Sequence, residues 1–65
     1  MLLDTDVMFS MTQANSNFSQ IARAVEKKGK AVLLKNNHPR YIILNIDYLS
    51  EKEQKEIEKF HRENF

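Results

Sequence analysis

Apolar residues concentrate in two short runs, 31–34 (AVLL) and 41–46 (YIILNI), separated by the polar cluster Lys35-Asn36-Asn37-His38-Pro39-Arg40. Asn favours turns and tolerates positive φ, and Pro carries no ladder donor, so the stretch predicts a β-hairpin. Both runs are apolar on both faces: Val32 and Leu34 alternate with Ala31 and Leu33, while Ile42, Leu44 and Ile46 alternate with Tyr41 and Ile43. A hairpin with one wet face would place a polar residue at every second position. This one needs two covers, and the helical pattern before it supplies one. Val32, Leu34, Ile42 and Leu44 are therefore the expected core of an interface with a second copy of the chain.

Upstream, Asp6-Val7-Met8-Phe9 is a short extended candidate, and Ser10-Met11-Thr12-Gln13 matches a capping box opening a short helix over about 11–16. A second S/N-x-x-Q pattern, Asn17-Phe18-Ser19-Gln20, precedes Phe18, Ile21, Ala22 and Val25, which fall at i, i+3, i+4 and i+7. That spacing is the stripe of an amphipathic helix and the natural first cover for the hairpin. Lys27 and Lys28 suit its last turn, and Gly29 suits its stop. After the hairpin, Asp47 is placed to cap a turn holding Tyr48 and Leu49. Ser50-Glu51-Lys52-Glu53 is a third capping box, predicting a helix over 50–64 with little apolar content beyond Ile57, Phe60 and the final Phe65. A helix polar nearly all round is marginal alone and needs a partner, so this tail is expected to project from the body and to be frayed.

Composition sharpens this picture. At 65 residues the chain is near the lower limit for a self-sufficient core, and it has no cysteine to provide disulfides or a Cys-based zinc site. Small scaffolds without staples or metal often complete their core by oligomerising, which is a second argument for a homodimer. The start, Met1-Leu2-Leu3-Asp4, meets an acid before any long apolar run, so no signal peptide is expected. No run is long enough to cross a bilayer, and the expected location is the cytoplasm. Charge is uneven. Between Asp6 and Asp47 the only acid is Glu26, against Arg23, Lys27, Lys28, Lys30, Lys35 and Arg40; from Glu51 onward four basic residues face five acidic ones. A basic body with a charge-mixed tail suggests two surfaces with different partners, although lysines also serve simply to solvate a surface.

Catalytic chemistry finds little support. His38 and His61 are the only histidines, one before a proline in a turn and one among charges, and both read as solvent-facing. Carboxylates cluster only in the tail, where burial cannot raise a pKa. The single glycine rules out a phosphate loop, and no metal site or cofactor is expected. Nucleic acid is the better ligand. Thr12, Gln13, Asn15 and Ser16 form a polar, acid-free helix surface, and Asn and Gln pair in bidentate fashion with adenine in the major groove. Lys35 and Arg40 flank the hairpin turn and suit phosphates.

Taken in order, Thr12-Gln13-Ala14-Asn15, Asn17-Phe18-Ser19, the helix end at 25–29, Leu33-Leu34-Lys35, His38-Pro39 and Asp47-Tyr48-Leu49 resemble the Phd/YefM family of type II antitoxins over about forty residues. The resemblance implies an α+β fold: N-terminal helices packed on an antiparallel β-hairpin sheet, homodimeric, followed by a C-terminal helical tail. It implies a dimerisation and DNA-binding domain over 1–49 and a toxin-binding segment over 50–65. The family's DNA contacts come chiefly from two arginines, whose positions correspond here to Asn15 and Lys35. Both depart from the pattern, and Lys35 lacks the fork geometry of arginine. The implied function is an antitoxin that neutralises a small ribonuclease or Doc-like toxin, through Tyr48, Leu49, Ile57, Phe60 and Phe65. As a dimer it would repress its own operon at palindromic DNA. The alternative is a dimeric protein-interaction module without specific DNA binding.

Overall fold

A computed structural model describes residues 5–65. A single 3-10 turn, Thr5–Val7, leads into strand β1 (Met8–Ser10), followed by helices α1 (Met11–Ser16) and α2 (Phe18–Lys28). Strands β2 (Lys30–Lys35) and β3 (His38–Leu44) form the hairpin; a 3-10 turn, Ile46–Tyr48, then leads to helix α3 (Glu51–Asn64). The protein is a small α+β domain built on a three-stranded mixed sheet, ordered β1-β2-β3.

The expected antiparallel sheet is thus corrected to a mixed one. Residues 8–10 of the N-terminal segment run parallel to β2, pairing Met8 with Val32, Phe9 with Leu33 and Ser10 with Leu34. A parallel pair cannot be joined by a tight turn. Here α1 and α2 make the crossover between β1 and β2. Asp6 and Val7 fall in the 3-10 turn instead of the strand.

The hairpin closes more tightly than the polar cluster suggests. Only Asn36 and Asn37 form the loop, with φ of 50° and 66°. Two consecutive left-handed residues make a turn whose twist matches that of the strands, and Asn is among the few residues that adopt it cheaply. Lys35 therefore pairs directly with His38, and β3 begins at His38 instead of Tyr41. The register shifts between Leu33 and Leu34, whose partners are Tyr41 and Pro39, so Arg40 is the extra residue of a bulge. Pro39 is tolerated because β3 is an edge strand. At the far end Asn45, not Asp47, caps the 3-10 turn: its side chain accepts from the Asp47 N–H at 2.9 Å, and this draws Ile46 out of the strand.

The core lies on one side of the sheet. Phe9, Ala31 and Leu33 pack against Ile21 and Val25 of α2, with Met11, Ala14, Ala24 and Ile43 at its margin. Phe18 and Ala22, expected in the covering stripe, are exposed. At about 100° per residue, Ala22 lies roughly 80° from the midline of Ile21 and Val25. Phe18 is the first helical residue, at the end of the core where Met11 and Ala14 already pack.

Local signals set the start of α1, the end of α2 and the start of α3. Ser10 closes a full capping box: its Oγ accepts from the Gln13 N–H at 3.0 Å while Gln13 Oε1 accepts from the Ser10 N–H at 2.8 Å. The pattern at Asn17 does not close one. Asn17 also ends α1, donating its N–H to the Gln13 carbonyl at 2.9 Å, and its backbone (φ −152°, ψ 72°) is not extended as a box requires. Its Oδ1 accepts from the Ser19 hydroxyl instead.

Gly29 ends α2 at φ 87°, donating to the Val25 carbonyl at 2.8 Å and accepting from the Asn45 N–H at 3.0 Å. The Tyr48 ring lies over its Cα, where a methyl group would collide with Cε2, Cζ and Oη. Gly29→Ala is expected to cost about 1–2 kcal/mol in urea denaturation, mostly from the left-handed backbone. Adding Tyr48→Ala should recover only a small part of it. Full recovery would assign the cost to the ring instead.

Candidate functional site

Three surfaces emerge. The first joins the start of α1 to the hairpin tip: Ser10, Met11, Thr12, Leu34, Lys35, Asn36 and Asn37 line one shallow hollow. The parallel pairing of Ser10 with Leu34 produces it, because α1 starts directly after Ser10 and so stands beside the end of β2. Thr12 and Lys35, expected to act together, are together. Asn15 and Ser16 are exposed on α1, with the Ser16 hydroxyl directed to the Gln13 carbonyl at 3.4 Å.

Two other expected DNA-contact residues lie elsewhere. Gln13 lines a different hollow, with Asp6, Gln20, Arg23 and Lys27 among its neighbours, and its Oε1 is engaged in the Ser10 cap. Arg40 lines a hollow with Val32, Pro39, Tyr41 and Ile42, because the bulge displaces it from the turn. Asn36 and Asn37, expected only as turn residues, also line the first hollow. The adjacent asparagines themselves signalled a two-residue turn.

The second surface is the sheet face opposite α2. Met8, Val32 and Ile42 are register partners across all three strands, so they share this face; Leu34 and Leu44 extend it along β2 and β3. Val32 is 5% exposed and Leu34 half-buried, whereas Ile42 and Leu44 are 53% and 43% exposed. The uncovered part is therefore the β3 side, continued by exposed Ile46. Met8 was not anticipated here, since only the β1 register reveals its side.

The third surface is α3. None of its residues is buried, and Leu49, Glu53, Glu56, Ile57 and Phe60 line one hollow along it. Another side presents Glu51, Lys52, Lys55, Glu56 and Lys59. Leu49, Ile57 and Phe60 are thus brought together. Phe65 is separate, stacked on His61 with ring centroids 5.3 Å apart, and Tyr48, largely exposed, lies with its ring beside Gly29. At the root of the helix, Gln54 Nε2 donates to the Leu49 carbonyl at 3.0 Å.

The Ser50 cap of α3 is complete, with the Ser50 N–H and hydroxyl both donating to Glu53 Oε1 and the Glu53 N–H donating to Ser50 Oγ. These bonds to the Ser50 backbone and side chain hold the Glu53 carboxyl below the usual glutamate range. A lowered folded-state pKa gives a contribution fully present above the unfolded value and lost as pH falls through the folded one. Ser50→Ala should cost α3 about 1 kcal/mol and lower the helical circular dichroism signal. In the variant, the loss of that signal on acidification should begin at higher pH than in the parent. An unchanged spectrum and pH profile would show that the cap does not govern this helix.

Among the described residues, no group of three or more His, Cys, Asp and Glu side chains is placed to hold a metal ion. No helix among them is long and apolar enough to cross a membrane. Comparisons of the chain with protein-family models, with curated proteins and with solved structures find no match.

Proposed function

We propose that this chain is a homodimeric antitoxin of the Phd/YefM kind, a binding protein rather than an enzyme. It represses its own operon through the α1–hairpin end and neutralises a small ribonuclease or Doc-like toxin through 50–65. The observation that carries the reading is the distribution of the three surfaces. A hollow containing Thr12, Lys35 and the turn asparagines, an uncovered apolar sheet face and an amphipathic tail occupy separate elements. Each suits a different partner: DNA, a second copy and a toxin. The ordered motif series over Ser10 to Leu49 supports the same assignment.

A titration with palindromic DNA from upstream of the gene tests it. A complex of two chains whose affinity falls steeply with salt is expected. Binding indifferent to both salt and sequence would remove the repressor half. Lys35→Ala should weaken binding to all sequences and flatten the slope of log K against log salt by about one unit per copy. An unchanged slope would take Lys35 off the phosphates. Growth arrest by the toxin, relieved on co-expression, tests the other half.

One observation favours the alternative, a dimeric protein-interaction module without specific DNA binding. The carboxamide oxygen of Gln13 already accepts from the Ser10 N–H, so turning it to adenine as a bidentate pair competes with the cap. In that case the tail alone is the working surface, and the DNA titration gives no sequence preference.

A further inference from the structure

Two apolar surfaces of this chain lie uncovered among the described residues, and their chemistry is complementary. One is the β3 side of the open sheet face, where the hollow over Val32 and Ile42 has Arg40 as its charged lining residue. The other is the strip on α3 in which Ile57 and Phe60 lie beside Glu53 and Glu56. Ile57 is 44% exposed and Phe60 62%. Each surface lacks what the other holds. The sheet face needs a second apolar cover. The helix needs a partner to be stable. A cation at the edge of one matches carboxylates at the edge of the other. Their lengths also agree: Glu53 to Phe60 is about 10 Å of helix, and Arg40 to Leu44 about 13 Å of strand.

Within one chain α3 makes no extensive contact with the sheet. The geometry points to a second copy as the occupant: α3 of each chain lies along β3 of its partner, with Ile57 and Phe60 on Ile42 and Leu44 and with Glu53 and Glu56 toward Arg40. Each chain offers both surfaces, so a reciprocal exchange about a two-fold axis makes the contact twice and closes the assembly as a dimer. It rests on the dimer reading above and adds a regulatory consequence. The tail strip proposed to hold the toxin is shielded in the free dimer, and a toxin gains it only by displacing it from the partner's sheet.

The chain has no cysteine, so a thiol pair can be introduced cleanly. In the full chain carrying Ile42→Cys and Phe60→Cys, Leu44 and Ile57 remain in place and cysteine itself is apolar. A short flexible bis-maleimide should link two chains. Linking should proceed about tenfold or more faster than in a control with Ile42→Cys and Lys55→Cys, whose second thiol lies on another side of α3, because apposed thiols act at a raised effective concentration. Arg40→Glu should slow the linking, and adding Glu56→Arg should restore it. A product linked within one chain would overturn the second copy as occupant. Equal rates for Phe60→Cys and Lys55→Cys in a chain that sediments as a dimer would overturn this contact while leaving the dimer intact. A chain that sediments as a monomer overturns both.

Discussion

Ile21→Ala is expected to destabilise the domain by about 2–5 kcal/mol, a large fraction of what a chain this small can have. Ile21 is fully buried (0% exposed) and sits between α2 and the inner sheet face, in the cluster with Phe9, Val25, Ala31 and Leu33. Truncation removes the transfer energy of three carbons and leaves a cavity that neighbours from three separate elements cannot collapse into together. Domains of ordinary size are stable by only about 5–15 kcal/mol, and a 65-residue chain without disulfides stands at the lower end. The variant should therefore be partly or wholly unfolded at room temperature, read as a large fall in the urea midpoint. Ala22→Ser, one residue along on the exposed side of α2, should stay within about 0.5 kcal/mol of the parent. If the two substitutions cost the same, α2 is rotated from the orientation described.

The contrast between Ile21 and Ala22 also shows where sequence reading reaches its limit. A stripe at i, i+3, i+4 and i+7 is broad enough to contain several midlines, and only the neighbours choose among them. The parts that were legible are those whose cause is local. Ser10 and Ser50 close their capping boxes, Gly29 takes the left-handed stop, and the two asparagines turn the hairpin. Asn17 had the same local pattern and did not close a box, because one residue separates α1 from α2 and must serve both ends.

The parts that were not legible depend on distant contacts. A three-residue strand carries too little periodicity to announce itself, and the parallel register of β1 with β2 is fixed by how α1 and α2 pack. That register moves Met8 to the open face and creates the hollow between Thr12 and Lys35. The bulge at Arg40 had no sequence signal beyond the adjoining Pro39, yet it takes Arg40 away from Lys35 and gives it to the apolar face. Two residues expected to flank one turn thus line different hollows.

The dimer on which the proposed function depends makes the other large prediction. Ile42→Asp should leave the single chain folded, because Ile42 is 53% exposed there and contributes little to the core formed by Phe9, Ile21, Val25, Ala31 and Leu33. The same residue lies at the centre of the uncovered face, in register with Val32 and Met8. In a dimer formed through that face, a carboxylate would be carried out of water beside Val32 and Leu44. An unpaired charge in an interface costs about 3 kcal/mol or more, which raises the dimer dissociation constant by roughly two orders of magnitude. Sedimentation across a concentration series should show the shift to monomer, while circular dichroism remains that of a folded domain. DNA affinity should fall with it, since two linked reading heads gain avidity that separate ones lose. An unaltered dissociation constant would place the dimer contact elsewhere. Loss of structure together with dimerisation would mean instead that the single chain cannot stand alone, so that the second copy completes its core.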